Sequence, residues 1–414
     1  MKKRISLMLC SIMLLTILVV PVNAQGHECL SQNDSGKAQS TDDLTKDEAS
    51  VADFRSAMTE QYGEDYFVKL ERNELATKNA NIIESKFAKD KSGDVIYPDY
   101  IGGLYIDSNN NLTIQVVKKN IPNSRNETYQ SIINVDKNSK VEYVNYSYEE
   151  LNGVHDIILN NFLGKFDNLT GLYVDVISNR VVVELKEFTN EKIEEFKNKV
   201  INSPMISFDK ATVFEQISSA SPGGSFISAE GYQQCSYGYR AKLSTGQTGI
   251  VSAAHCFNSG GDSIPGIGML RSYQNTGELD AAFVINTSGA NLSNLIIVPN
   301  IGITITLSAN VNASPIAGQS ISKYGRTTGL TSGTITATNY SYTNDKTHIT
   351  YTKQVKAIMD STNGDSGGPA FQLSASNSSN ATIVGILSAS STDRTKSIIT
   401  KASLINQHFA LSTY

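Results

Sequence analysis

A glycine-rich motif near the C-terminus, Gly364–Pro369, gives one serine a setting in which it can act as a nucleophile. Glycines beside Ser366 allow a tight turn that exposes the hydroxyl, and the amides of such a turn can point at a single developing oxyanion. A glycine-rich surface turn without chemistry has the same composition. The partners of Ser366 therefore decide between the two interpretations.

His255 is the predicted general base. It follows the small apolar run Val251–Ala254 and precedes Cys256, so a strand end and a tethered loop would hold its ring. A neutral imidazole, with an ordinary pKa of about 6.5, is suited to accept a proton from a serine hydroxyl. The remaining histidines lack metal-ligand spacing: His27, His155, His348 and His408. We expect neither a metal ion nor another cofactor.

The third catalytic group must be a carboxylate that orients the imidazole and stabilises its protonated form. Asp280 opens the apolar run Ala281–Ile285, which would bury one side of it, whereas Asp262 stands in a glycine-rich turn and would be solvated. We predict that Asp280 takes this role. Together with His255 and Ser366 it predicts acyl transfer by a serine nucleophile.

The segment that must position these groups looks all-β. After a linker-like stretch at 218–224, short β-prone runs alternate with Gly, Asn and Ser, which favours a sandwich or barrel. These runs are Thr248–Ser252, Ala281–Ile285, Gly302–Leu307, Gly333–Thr338 and Thr382–Leu387. Only Ser403–Leu411 is predicted to be helical.

The preceding segment, residues 25–220, differs in charge and pattern. It holds 21 basic and 32 acidic residues (net −11), against 11 and 8 (net +3) in residues 221–414. Gly103–Asp107 recurs as Gly171–Asp175, an offset of 68, with β-rich runs around a polar turn in each copy. Glu191–Val200 has helical spacing and Met205–Phe208 reads as a strand, so this half is predicted to be α+β.

Residues 1–24 read as a secretory signal, with a basic start, an apolar run and the small-residue pattern Val22–Ala24. Cys10 leaves with this signal. Of the cysteines that remain, Cys235 and Cys256 flank a predicted strand-turn-strand. A disulfide between them would raise the free energy of unfolding by about 3 kcal/mol. Cys29 is then the odd thiol. We expect an extracellular location.

The chain resembles the secreted bacterial chymotrypsin-like endopeptidases of the α-lytic protease and streptogrisin type. The matching stretches are Gly223–Gly224, Cys235–Tyr239, Ser252–Cys256, Asp280–Val284, Gly325–Gly329, Gly333–Ala337, Gly364–Pro369 and Gly385–Ser388. The resemblance implies two antiparallel six-stranded β-barrels over residues 221–414, with the site in the cleft between them. It also makes the amides of Gly364 and Ser366 the oxyanion hole, and Ser388 a hydrogen-bond partner of Asp280.

Further roles follow from the same resemblance. Leu387–Ser390 would pair with the substrate backbone as an added strand. Asp365, beside the nucleophile, would be buried and paired with Arg326. Ser322 and Ser332 stand where the family has a second disulfide.

The resemblance implies that residues 25–220 are a pro-region that assists folding and inhibits the finished protease, with a second lobe at about 150–210 and a junction at Ala220–Ser221. The expected partners are this pro-region and protein or peptide substrates. Lys and Arg do not cluster with aromatics, so nucleic-acid binding is not expected. After signal cleavage we expect a monomer without membrane contact.

Primary specificity stays open. Asp360 lies six residues before Ser366, as in enzymes that cleave after Arg or Lys. Thr362, Ala389 and Ser390 depart from that pattern, and the alternative is a neutral pocket for small or medium apolar side chains. Asn363 and Leu387–Ser390 are further predicted substrate-binding residues.

Two other functions compete with this one. A catalytically inactive protease-fold binding protein or adhesin would need no triad, and the intact set Ser366, His255 and Asp280 argues against it. An acyl hydrolase with a Gly-x-Ser-x-Gly elbow would have an α/β pattern and the chain order Ser, Asp, His. The sequence shows neither feature.

Overall fold

The computed structural model describes residues 41–216, 225–227, 234–257, 263–298, 303–376 and 380–414. The chain divides into a short unit, Met1–Thr45, and a compact unit, Lys46–Tyr414, which holds everything discussed below. The predicted signal segment, Cys29, Asp262 and the junction Ala220–Ser221 lie outside the described residues. No helix in the described ranges is long and apolar enough to span a membrane.

The N-terminal region, up to residue 216, is α+β, as predicted. Its elements are α1 (Thr41–Tyr62), α2 (Tyr66–Glu84), β1 (Ala88–Lys89), β2 (Val95–Ile96), β3 (Ile101–Ile106), β4 (Leu112–Val117), α3 (Glu127–Ile133), β5 (Lys140–Val144), α4 (Tyr148–Asn161), β6 (Leu169–Asp175), β7 (Arg180–Leu185), α5 (Asn190–Lys199), β8 (Ile206–Lys210) and β9 (Phe214–Glu215).

The internal repeat corresponds to two lobes with the same strand topology. In each lobe an antiparallel hairpin is followed by a helix and a third strand that pairs parallel to the second, giving β3-β4-β5 and β6-β7-β8. The repeated glycines, Gly103 and Gly171, both adjoin a register shift in the first strand of the hairpin. Each lobe buries its own apolar cluster. The 68-residue offset in the sequence is therefore confirmed as a structural repeat.

The C-terminal region, from residue 225, is almost entirely β. Its elements are β10 (Ser225–Ile227), β11 (Gln234–Ser236), β12 (Arg240–Leu243), β13 (Thr248–Ser252), β14 (Ser263–Ile264), β15 (Gly268–Thr276), β16 (Leu279–Asn286), β17 (Leu295–Val298), β18 (Ile303–Val311), β19 (Ser320–Gly325), β20 (Gly329–Thr343), β21 (Thr350–Ile358), β22 (Pro369–Leu373), β23 (Asn380–Ser391), β24 (Lys396–Lys401), α6 (Ala402–Phe409) and β25 (Leu411–Thr413).

These strands form the two predicted antiparallel six-stranded arrays. The first has the order β14-β15-β16-β13-β12-β25. The second closes into a ring in which β19, β20, β21, β24, β23 and β22 each pair with the next, and β22 returns to β19. The helix α6 ends earlier than predicted, because Ala410 takes a left-handed conformation (φ 52°) and Leu411 enters β25.

The N-terminal region continues the sheet of the second barrel. Strand β6 pairs antiparallel with β20, so that Leu172 lies opposite Ser341 and Gly171 opposite Tyr342. Gly171 has no side chain, and the space that a Cβ would need is filled by the Tyr340 hydroxyl and the Glu184 carboxylate, each 2.7 Å away. A larger residue at this position would have to displace these two groups where β6 meets β20.

Candidate active site

His255 and Asp280 come together where two strands of the first barrel meet. His255 lies in a short 3₁₀ turn, Ala254–Cys256, directly after β13, and Asp280 lies in the neighbouring strand β16. The Cys235–Cys256 disulfide anchors the turn. His255 and these two cysteines are close enough to hold a metal ion, but sulfurs joined in a disulfide offer no thiolate.

The Asp280 carboxylate is fully buried and bound on both oxygens. Its Oδ2 lies 2.7 Å from His255 Nδ1 and accepts a hydrogen bond from Ser388 Oγ at 2.6 Å, while Oδ1 accepts from the His255 amide at 3.0 Å. Burial alone would raise the pKa of Asp280, but the charge of a protonated His255 and these hydrogen bonds outweigh it and lower the pKa. The carboxylate is thus kept charged and fixed behind the imidazole.

The Ser366 turn depends on glycines at defined positions. Gly364 and Gly367 have φ of 94° and 82°, in the left-handed region that L side chains avoid. A Cβ on Gly367 would lie 2.1 Å from Ser252 Oγ and 3.0 Å from the Ala253 amide nitrogen. The turn therefore packs directly against the strand end that leads to His255.

Ser236 ties this turn to the first barrel, a role that the sequence did not reveal. Its amide donates to the carbonyl of Ser366 at 2.7 Å, and its hydroxyl donates to the carbonyl of Gly364 at 2.8 Å. The same hydroxyl accepts from the Arg326 amide at 2.9 Å. Serine in β11, next to the disulfide, thus holds both ends of the nucleophile's turn.

The Asp365 carboxylate has a buried ion-pair partner, Lys323, that was not predicted, and the charge of Asp365 also acts on the predicted partner, Arg326. This carboxylate lies 3.3 Å from Lys323 Nζ, and both side chains are fully buried. It also accepts hydrogen bonds from the amides of Thr327 and Thr328. Burial lowers the pKa of Lys323, against the opposing effect of Asp365.

The pleat of β19 explains why the Lys323 side chain reaches Asp365. Side chains two residues apart share a face of a strand, so Lys323 and Gly325 face the same way. A Cβ on Gly325 would lie 2.3 Å from Asp365 Oδ1, so the missing side chain makes room for the carboxylate on that face. Arg326 follows the strand, and its aliphatic stem lies near Gly364.

Asp360 is held at the surface. About half of its side chain is exposed, and both oxygens accept hydrogen bonds from Arg394, at 2.9 and 3.0 Å. The next residue, Ser361, is fully buried, and its hydroxyl bonds to those of Ser390 and Ser397. Hydroxyl groups, and not the Asp360 carboxylate, therefore fill this part of the interior beside Ala389.

The strand predicted to pair with substrate is already paired. Strand β9 of the N-terminal region runs antiparallel to the end of β23, with Glu215 opposite Ser390 and Phe214 opposite Ser391. Gln216, which follows Glu215 in the chain, places its side-chain amide nitrogen 3.4 Å from Asp280 Oδ2. The N-terminal region thus lies along the cleft and reaches the buried carboxylate.

Family comparisons agree with this architecture in three consecutive segments. Residues 55–144 match the Pro-like N-terminal domain, residues 149–211 the Pro-like C-terminal domain, and residues 240–407 the trypsin family. The chain belongs to the chymotrypsin-like serine endopeptidases that carry a pro-region. The N-terminal region is this pro-region, and the chain is a protease in its proenzyme form.

Several solved structures of bacterial proteases are similar to this chain. Thermobifida fusca protease A shares 26% identity, with 44% of this chain and 91% of that one covered and a TM-score of 0.38. A Nocardiopsis protease shares 29% identity, with 46% and 97% covered and a TM-score of 0.38. Cellulomonas bogoriensis chymotrypsin shares 24%, with 48% and 98% covered and a TM-score of 0.39. A comparison with curated proteins found no significant match.

Proposed function

We propose that the protease is an exported proenzyme in which His255, Asp280 and Ser366 form the catalytic triad, and that it cleaves its own pro-region. The observation that carries this proposal is the Asp280 carboxylate, buried and bound at once to the His255 ring and to Ser388. A buried charge is costly unless it is paired and hydrogen-bonded, and buried groups with a shifted pKa and a specific partner cluster at functional sites. Export rests on the signal pattern of residues 1–24.

In the proposed mechanism the Ser366 hydroxyl attacks the carbonyl carbon of the scissile peptide bond. His255 Nε2 accepts the hydroxyl proton, and Asp280 stabilises the imidazolium through the hydrogen bond to Nδ1. The proton then passes to the departing amine as the C–N bond breaks, which leaves an acyl group on Ser366. Water, deprotonated by the same imidazole, hydrolyses the ester and restores the hydroxyl.

Negative charge develops on the carbonyl oxygen during both steps. The amides of Gly364 and Ser366 are the proposed donors to it, and Asn363 leads into this turn. The support is the way in which the turn is held. Ser236 donates to the carbonyls of Gly364 and Ser366, and the Asp365 carboxylate, which belongs to the turn, accepts from the Thr327 amide. Donors held in place before reaction avoid the cost of reorganisation, and one such donor is typically worth a factor of about 10²–10³ in kcat.

The primary pocket is proposed to be neutral. A basic side chain would have to compete with Arg394 for Asp360, whereas the Ser361 hydroxyl bonds to the hydroxyls of Ser390 and Ser397, and these groups offer no negative charge. Leu387–Ser390 supply the backbone that pairs with substrate.

A peptide library checks the pocket. We expect cleavage after small or medium apolar residues, unchanged by Asp360→Ala, since the Asp360 carboxylate is already neutralised at the surface. A preference for Arg or Lys that disappears in Asp360→Ala would overturn the neutral pocket.

Self-processing is tested with Ser366→Ala in a host without other proteases. Loss of a triad member typically lowers turnover by about a millionfold, so this variant should accumulate as a folded, full-length proenzyme. Ser376→Ala, at an exposed serine outside the site, is the matched control and should mature normally. N-terminal sequencing of both products gives the answer, and normal maturation of Ser366→Ala would refute self-processing.

A further inference from the structure

We propose that the mature protease selects substrates with an aromatic side chain in the position that Phe214 occupies in the proenzyme. The surface that receives it, here called the 214 site, consists of Tyr340, Tyr342 and Lys356. The inference rests on the proposed function, since it assigns part of the substrate preference of the same cleft.

The Phe214 ring is almost completely buried in an apolar cluster that includes Tyr340 and Tyr342, with Tyr173 of the pro-region packed against this cluster. Phe214 is 4% exposed, and its ring centre lies 5.8 Å from that of Tyr340 and 5.7 Å from that of Tyr342. Lys356 Nζ lies 5.8 Å from the Phe214 ring centre and 4.4 Å from that of Tyr340. Edge and tilted ring contacts and a nearby cation are arrangements that aromatic rings favour.

The tyrosines form a wall that belongs to the protease domain. Tyr340 and Tyr342 stack with their planes 18° apart, and Tyr342 stacks on Tyr351 at 28°. They lie on β20 and β21, two strands of the closed second barrel. Removing the pro-region therefore takes Phe214 away and leaves its receiving surface in place.

The position of the 214 site relates it to substrate. Phe214 pairs with Ser391 on β23, the strand that also carries Ser388 and through it contacts Asp280. Two residues further, Gln216 already reaches the Asp280 carboxylate and the Tyr351 hydroxyl. A peptide that adds to β23 in the same direction places one of its side chains, a few residues before the bond cleaved, against Tyr340 and Tyr342.

The charge of Lys356 determines which side chains the 214 site disfavours. In the proenzyme Lys356 is paired with Glu184, which leaves together with the pro-region. The mature 214 site then joins an apolar wall to an uncompensated cation. It suits an aromatic ring and disfavours Lys or Arg, whose charge would repel Lys356.

The neighbouring position provides a matched control. Glu215 is paired with Lys346 at 2.8 Å, but both side chains are substantially exposed, 35% and 69%. Exposed pairs contribute little to binding because water and salt screen them. Substitution at 215 should therefore change cleavage much less than substitution at 214.

The experiment uses a peptide with the sequence of residues 211–222 and three variants of it: Phe214→Ala, Phe214→Lys and Glu215→Gln. Fluorophosphonate titration of one sample gives the concentration of active sites in the mature protease, and casein cleavage by another sample shows that it is active. For this enzyme the Phe214→Ala peptide should have a kcat/KM about tenfold lower, which corresponds to the loss of one buried aromatic side chain. Phe214→Lys should lower it further, and Glu215→Gln by less than about threefold.

Lys356→Met in the enzyme gives a readout that a structural role would not produce. It should reduce the difference between the Ala and Lys peptides while retaining the preference for Phe. The 214 site alone would be overturned by equal kcat/KM for the Phe and Ala peptides, or by no cleavage of the Phe peptide, when one sample of the same enzyme takes up the label and an unlabelled sample cleaves casein. Enzyme that neither takes up the label nor cleaves casein would instead contradict the proposed function.

Discussion

At the scale of single residues, the Asp280 carboxylate connects three parts of the protein. It joins the turn after β13 through His255, strand β23 through Ser388, and the pro-region through Gln216. Its charge matters for each contact, because all three groups donate hydrogen bonds to it. A neutral amide at this position would keep the shape but lose the preference for protonated His255.

Asp280→Asn should lower kcat by about 10⁴, as expected when a triad carboxylate no longer orients the imidazole. The same substitution has a consequence for stability. Since the pKa of Asp280 is lowered in the folded protein, its charge adds to the free energy of unfolding above a pH of about 4, and this contribution is lost as the pH falls toward the folded pKa.

Urea unfolding measures this effect in a Ser366→Ala background, which prevents autolysis. Between about pH 5 and pH 2 the free energy of unfolding should fall more steeply in Ser366→Ala, which keeps the carboxylate, than in the double variant Ser366→Ala/Asp280→Asn. Parallel curves for the two proteins would contradict the assignment of a charged, hydrogen-bonded carboxylate.

Residue types and local motifs were sufficient to propose His255, Asp280 and Ser366, because each stands in a short segment with a chemical pattern of its own. Lys323 and Ser236 could not be found in this way. The contact of Lys323 with Asp365 depends on the pleat of β19, and the role of Ser236 depends on contacts more than 100 residues away in the chain. Asp360 had suitable spacing, yet Arg394 from a later loop holds it outward.

At the scale of elements, β-prone runs between turn residues located five strands of the protease domain, β13, β16, β18, β20 and β23. Thr248–Ser252 is β13 as predicted, and the repeat in the pro-region predicted the hairpin of each lobe but not the parallel third strand. Such patterns could not predict the pairing of β6 with β20 or of β9 with β23. Both join segments that are more than 160 residues apart, and only tertiary packing selects them.

The junction of β6, β7, β20 and β21 contains a buried ion pair between Glu184 and Lys356, with the Tyr340 hydroxyl donating to Glu184 at 2.7 Å. Burial lowers the pKa of Lys356, against the effect of Glu184. Glu184→Gln in a Ser366→Ala proenzyme should reduce the free energy of unfolding by about 3 kcal/mol, because it leaves a buried cation without its partner.

Glu194→Gln is the matched control, since Glu194 pairs with Lys197 at the surface and should change the free energy of unfolding by less than about 1 kcal/mol. Urea denaturation of both variants gives the comparison. Equal effects of the two substitutions would mean that the buried pair does not hold the pro-region to the protease domain.

At the scale of the whole molecule, the pro-region and the protease domain complement each other in charge and in structure. Residues 25–220 carry a net charge of −11 and residues 221–414 one of +3, and among the described residues Asp94 and Glu184 both pair with lysines of the protease domain. The pro-region also extends one sheet through β6 and occupies the cleft through β9. A domain rich in non-local strand pairs folds slowly, which a partner that offers a sheet edge can assist.

The most direct test of the central claim is covalent labelling of the mature protease with a fluorophosphonate, followed by mass spectrometry of the peptides. The proposed triad predicts one label per molecule, on Ser366, and loss of labelling in Ser366→Ala and in His255→Ala, each freed of its pro-region by a catalytic amount of mature enzyme, because the hydroxyl is reactive only with its base. Labelling at another serine, or undiminished labelling of Ser366 in His255→Ala, would contradict it.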